Sequence, residues 1–289
     1  MIARRGPVLA VLAVVLAGCG AESGPSGPPP GAVLPEPVPT VRSTPPAGST
    51  AGEAAAVPVY YVADTPAGPR LQREFHRVPS DNRASAAVRE MLAEPTGTDP
   101  DYHSYWPSGT TLRTPVRVED TTIVVDLAGA DGAPPSPELA ELTVQQLVFT
   151  VQGALQSADP VRILVDGKPV ARLWGTVPTA EPVRRGDDYA LRSLVQIDGP
   201  ADGAVVGREV EVTGEAAVFE ATVLWQVLRD GAVVRSGVTS TSEGQRFAPF
   251  AFTVALAPGD YVVRVLEDDV SGGEGRPVLT DDKSVTVRG

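Results

Sequence analysis

Thr222-Val223-Leu224-Trp225-Gln226-Val227-Leu228-Arg229-Asp230-Gly231-Ala232-Val233-Val234 is the stretch on which the fold turns. Val223, Trp225 and Val227 fall on one face, and Leu224 and Leu228 bracket Gln226 on the other, the period of a half-buried strand rich in β-branched and aromatic residues. Asp230-Gly231 tolerates φ > 0 and predicts a tight hairpin turn into a returning strand. Working outward, strands are predicted over 194–197, 209–213, 222–229, 232–239, 247–255, 260–267 and 284–288. Gly199-Pro200, Pro258-Gly259 and Gly272-Gly273 supply further turn signals. Many short strands at regular spacing predict an all-β sandwich over residues 190–289, with Trp225 as its central core aromatic. The rival reading of Trp225 is an exposed platform on which a sugar stacks.

N-terminal to this module the pattern changes, across the polar stretch 181–189 with Pro182 and Gly186. Residues 57–178 predict an α+β domain, two helices on a small sheet. Strands are expected over 57–62 and 71–78 around the turn Pro66-Ala67-Gly68-Pro69, and as a pair over 112–118 and 121–127. A first helix is expected over 82–93, with Ser80 or Asp81 as N-cap and Pro95 beyond its end. A second is expected over 137–157, capped by Ser136, with Pro137 in its first turn and Val144, Val148, Val151 and Leu155 along one face. Residues 161–165 then form a strand, Asp166-Gly167 a turn and 169–174 a returning strand.

At the N-terminus, Arg4 and Arg5 precede the apolar run 8–16, and Leu16-Ala17-Gly18-Cys19 holds the only cysteine of the chain. These are the parts of a secretory signal ending in a lipobox. The apolar run is short of the roughly 20 residues that a spanning helix needs, which disfavours an uncleaved membrane anchor. The resemblance to bacterial lipoprotein signals implies cleavage between Gly18 and Cys19 and a diacylglyceryl group on the Cys19 sulfur. At about 0.8 kcal/mol per buried methylene, two or three acyl chains would hold the protein on a bilayer. Residues 19–56, rich in Pro, Gly and Ser, read as a tether spanning roughly 35 Å as a coil and approaching about 100 Å as polyproline II. The expected location is the membrane surface, lipid-anchored, on the extracytoplasmic side.

The formal net charge is −12, and loss of residues 1–18, with two arginines and no acid, makes it −14. Nucleic acid is disfavoured as a partner, since phosphate contact needs clustered Lys and Arg and the chain has lysine only at Lys168 and Lys283. No intramolecular disulfide can form from one cysteine. His76 and His103 lack metal-ligand spacing, so neither a metal nor a cofactor is expected. No Gly-x-Ser-x-Gly surrounds Ser80, Ser104 or Ser108, so these serines read as turn and cap residues rather than nucleophiles. The runs Glu267-Asp268-Asp269 and Asp281-Asp282 read as a solvated acidic rim, calcium being the sharper alternative. Tyr102, His103, Tyr105 and Trp106 form an aromatic cluster in a loop. Half of it is expected in the core, with Tyr102, Tyr105 and Trp106 the candidates for a contact surface.

Two family resemblances follow from spaced elements. Residues 64–175 resemble the GerMN domain of sporulation and germination proteins through Trp106-Pro107-Ser108-Gly109-Thr110, Val124-Val125-Asp126-Leu127, the helix from Gln145 to Leu155, Ile163-Leu164-Val165-Asp166-Gly167 and Leu173-Trp174-Gly175. Residues 198–287 resemble the immunoglobulin-like Gmad2 domain through Gly199-Pro200-Ala201-Asp202-Gly203-Ala204, Val212-Thr213-Gly214-Glu215-Ala216, Phe219-Glu220-Ala221-Thr222-Val223, Phe252 and Tyr261. The resemblance implies a non-enzymatic envelope lipoprotein that works by self-association or by docking with envelope proteins. Two alternatives stand beside it. One is a cell-wall hydrolase using carboxylates such as Asp126 and Asp166, which would need to converge at about 5 to 9.5 Å. The other is a solute- or glycan-binding protein with an enclosed pocket of about 300 Å³ or more.

Overall fold

Alternation in the first module becomes the long hairpin β1 (Ala54–Thr65) and β2 (Gly68–Pro79) in the computed structural model, which describes residues 54–133, 135–269 and 274–289. The Cys19 lipobox, the tether to residue 53 and the Gly272-Gly273 turn lie outside the described residues. The first module continues with α1 (Arg83–Ala93), β3 (Tyr102–His103), β4 (Thr111–Leu112), β5 (Arg117–Glu119), β6 (Thr122–Ala128), α2 (Pro137–Leu155), β7 (Val161–Val165), β8 (Lys168–Pro169), β9 (Arg172–Leu173) and β10 (Val177–Pro178). The strands lie in two main sheets rather than one, β2-β1-β3 and β4-β6-β7-β8 with β5 on β6, while β9 and β10 pair with each other. β6 and β7 run parallel, joined through α2.

Three local predictions are corrected. Asn82 caps α1, its side chain accepting from Ser85 N–H, while Ser80 Oγ accepts from Asn82 N–H one turn earlier. The strand expected over 112–118 is split into β4 and β5, with Pro115, which has no N–H to give a ladder, between them. The returning strand expected over 169–174 breaks after Pro169, because Arg172 and Leu173 pair with β10 instead.

α2 ends at Leu155, two residues early, where Gln156 turns left-handed and its N–H bonds the carbonyls of Gln152 and Gly153. The helix is buried on more than the predicted stripe. Val144, Val148 and Val151 join β1, β6, β7 and α1 in one core, and Leu142 and Phe149 pack with Tyr60, Val62 and Leu71 in another. β3 covers β1 only at Val62 and Ala63, which leaves the backbone of Tyr60 facing the helix. Thr150 Oγ1 accepts from Tyr60 N–H (3.0 Å) and Gln146 Nε2 donates to Tyr60 O (2.9 Å), so no buried peptide group is left unpaired there.

The second module is the immunoglobulin-like sandwich. After the short helix α3 (Asp188–Leu191) come β11 (Val195–Gly199), β12 (Ala204–Val206), β13 (Glu209–Ala216), β14 (Thr222–Arg229), β15 (Ala232–Ser240), β16 (Ala248–Ala255), β17 (Gly259–Glu267) and β18 (Thr280–Val287). They form the sheets β11-β13-β16 and β12-β18-β17-β14-β15 around Val195, Ile197, Val212, Val223, Val227, Val263 and Val265. β12, three residues between turn-like glycines, was not foreseen. Trp225 sits at the margin of this core, partly buried, stacked on Phe252 with centroids 4.8 Å apart and planes 9° from parallel. A Cβ at Gly237 would come within 2.3 Å of its ring, so the glycine makes room for the indole.

Candidate functional site

The residues singled out from sequence fall in unexpected places. Tyr102 and Trp106 are 2% and 7% exposed, so they belong to the core rather than to a contact surface, and Tyr105 alone of the three is partly exposed. Trp106 packs on Trp174 at 5.3 Å. Asp126 is buried and taken up by Gly167 N–H (2.9 Å) and Arg113 (2.8 Å), which pins the Asp166-Gly167 turn. Its carboxylate is committed to holding that turn. His76 stands between Glu74 (2.9 Å) and Glu90 (3.0 Å). Among the described residues no group of three His, Cys, Asp or Glu is placed to hold a metal ion, and no helix is long and apolar enough to cross a membrane. A hollow of about 560 Å³ beside the β12-β18-β17-β14-β15 sheet is open, lined by Leu228, Tyr261, Val262 and Val285 together with Asp260, Arg264 and Asp282.

The densest chemistry lies between the two modules. β18 starts four residues earlier than expected, which carries the strand alternation back from Val287 and Val285 to Lys283 and Asp281 and turns both inward. Asp281, read as part of a solvated rim, is 4% exposed. It accepts from Tyr102 Oη (2.8 Å) of the first module and from Ile197 N–H (2.6 Å) of its own. Lys283, 2% exposed, donates to Asp99 of the first module at 2.5 Å and lies 3.4 Å from Asp281 and 3.9 Å over the Tyr102 ring. Asp99 is 3% exposed. Two carboxylates, one ammonium and one phenol are thus removed from water together.

Their acidities reflect this. Burial pushes Asp281 up to about 6, against the pull of Lys283 and its two hydrogen-bond donors. Burial raises Asp99 as well, Lys283 again opposing. Burial disfavours the Lys283 ammonium, but the charges of Asp281 and Asp99 outweigh it and hold its pKa above the ordinary value. Burial, then the charge of Asp281, keeps the Tyr102 phenol neutral.

A second cluster extends the contact. Arg73 of β2 forks onto Asp198 of β11 (3.2 and 2.7 Å) and reaches Glu215 of β13 (3.5 Å). Arg192, 3% exposed, bonds Glu215 and Asp188 and lies 3.8 Å over the Phe247 ring. Ser193 N–H donates to Leu71 O (3.0 Å). The polar stretch 181–189 is pinned rather than loose. Val183 exchanges two backbone hydrogen bonds with Val161, and Arg185 forks onto Asp188 with its guanidinium 3.7 Å over Phe149. The described residues of both modules fall in one compact unit.

Sequence reasoning missed Asp99, Lys283, Arg73, Asp198, Arg192 and Glu215. One signal was available: Asp281, Lys283, Val285 and Val287 share the parity of a buried face.

The class is now defined, an α+β module joined by a buried ionic seam to an immunoglobulin-like sandwich. Residues 58–171 match the family model Germane, described as sporulation and spore germination, and residues 194–274 match Gmad2, the immunoglobulin-like domain of bacterial spore germination. The chain therefore carries a GerMN-type domain followed by a Gmad2 domain. Similar solved structures include the tandem GerMN domains of the sporulation protein GerM from Bacillus subtilis (16% identity, 50% of this chain and 50% of that one, TM-score 0.38). The first GerMN domain of the same protein (19%, 46% and 99%, 0.36) and a putative lipoprotein from Clostridium perfringens (16%, 50% and 98%, 0.33) are also similar. The chain spans about half the length of the tandem GerMN structure. No curated protein matches the chain.

Proposed function

We propose that this chain is a non-enzymatic, lipid-anchored envelope protein that acts through protein–protein interaction or assembly in a sporulation- or germination-type system, presenting its two modules as one rigid body. The observation that carries the reading is the buried seam of Asp99, Tyr102, Asp281 and Lys283. A flexible linker would let each module bind alone, whereas a seam that is desolvated and ion-paired holds two binding faces at a set spacing and orientation. The family descriptions support the setting, and the Cys19 lipobox supports the anchor on the extracytoplasmic face of the membrane.

The test is a crosslinked affinity pull-down of the tagged chain from envelopes, compared with Cys19→Ser, together with fractionation of both. Wild type is expected in the membrane fraction with a reproducible set of envelope proteins or further copies of itself. Cys19→Ser is expected in the soluble fraction without them. Membrane retention of Cys19→Ser would remove the anchor, and an empty wild-type pull-down would remove the docking role.

A further inference from the structure

The first module reaches Lys283 and Asp281 through one loop, which β3 holds on β1 at Tyr102 and which a glutamate backed by a histidine holds on β2. Asp99 and Tyr102, which bridge to β18, sit in a turn closed by Gly97 N–H to Tyr102 O (2.8 Å) and Tyr102 N–H to Asp99 O (3.1 Å). The turn is tied to β2 by one side chain. Glu74 accepts from Thr98 N–H (2.9 Å) and Asp99 N–H (2.8 Å), and a Cβ at Gly97 would lie 2.7 Å from the Glu74 carboxylate. Glu74 Oε2 is in turn 2.9 Å from His76 Nε2, and His76 Nδ1 is 3.0 Å from Glu90 Oε2 on α1.

Both ring nitrogens of His76 therefore face carboxylates. A neutral imidazole has one N–H and can serve only one of them, which leaves a lone pair against an oxygen on the other side; the imidazolium serves both. We propose that His76 is a proton-operated latch on the inter-module seam: charged, it holds Glu74 over the 97–102 loop and keeps Asp99 on Lys283, and on losing its proton it frees the loop and loosens the junction.

The groups facing His76 agree with this. Glu74 comes from its own strand, Glu90 from α1, and Tyr61 from β1 with its ring 6.1 Å away. Burial, with Glu74 and Glu90 adding to it, holds the Tyr61 phenol neutral, so it brings no competing charge. Beyond Glu74 lie Asp99 and Lys283, and the charge of Glu74 reaches Lys283 as well. The hydrogen bond His76 donates to Glu74 is the main influence raising His76 above its ordinary value, despite burial. A group raised on folding stabilises the fold below its unfolded pKa and loses that contribution as pH rises through its folded one, so the latch is closed on the acid side and opens on the alkaline side.

The inference rests on the seam that underlies the proposed function, but it is read on purified protein. An empty pull-down leaves it standing, and a flat exchange profile leaves the docking role standing. The experiment is an NMR titration of His76 in the full chain as Cys19→Ser, alongside hydrogen exchange of Ile197 and Tyr102 amides corrected for intrinsic rates. Protection of these amides is expected to fall at least tenfold with the midpoint of His76, while Val263 in the sandwich core stays unchanged. His76→Gln, permanently neutral, should lack the step. Glu90→Gln, whose amide can donate to Nδ1 of a neutral ring and leave the Nε2 proton on Glu74, should lower the His76 midpoint and abolish the step in protection. Protection that is flat through the wild-type titration, or a step that persists in His76→Gln or Glu90→Gln, overturns the proposal.

Discussion

At the scale of single residues, Asp281 shows how burial alters the meaning of an acidic side chain. Its folded pKa of about 6 lies above the 3.8 of an ordinary aspartate in water. A carboxyl raised in this way contributes stability that is full below about pH 4 and is lost as pH rises to about 6, worth up to about 3 kcal/mol for a shift of this size. Asp281→Asn abolishes that slope. Chemical denaturation at pH 4.5 and pH 7 should show the difference in stability between the two proteins moving in favour of Asn as pH rises. A constant difference would mean that the acid titrates as it does in water. The sequence showed that Asp281 and Asp282 were adjacent and charged, and it did not show which faced inward. Only the register of β18 against β17 decides that, and it turns one to Lys283 and the other to Arg264.

At the scale of elements, periodicity found α1, α2 and most strands, missed the four-residue α3, and failed where a partner outside the segment set the outcome. α2 displayed one apolar stripe, yet the helix is buried on a second side because β1 leaves a backbone gap that Thr150 and Gln146 fill. Thr150→Val keeps the shape and deletes the acceptor. It is expected to cost about 1–3 kcal/mol, the penalty for stranding the Tyr60 N–H. Urea unfolding would measure it, and a neutral result would show that the Tyr60 amide finds water or another carbonyl. Trp225 makes the same point: its alternation with Val223 and Val227 was legible, but its depth depended on how far β15 and β16 cover that end of β14.

At the scale of the whole molecule, the seam makes the two modules thermodynamic neighbours rather than beads on a string. The full chain is expected to unfold in one calorimetric transition. Lys283→Met, which conserves volume and leaves two carboxylates buried without their cation, should cost about 3–5 kcal/mol and divide the transition in two. A single transition at the wild-type temperature would show that the seam carries no coupling. The sequence alone determined the class of each module, because strand and helix periods and turn chemistry are local, and it determined the charge balance and the place of the one cysteine. The joining of the modules was decided only by tertiary structure. Asp99 and Lys283 are 184 residues apart, and no local pattern reports a pairing that exists solely because two separately folded surfaces exclude water between them.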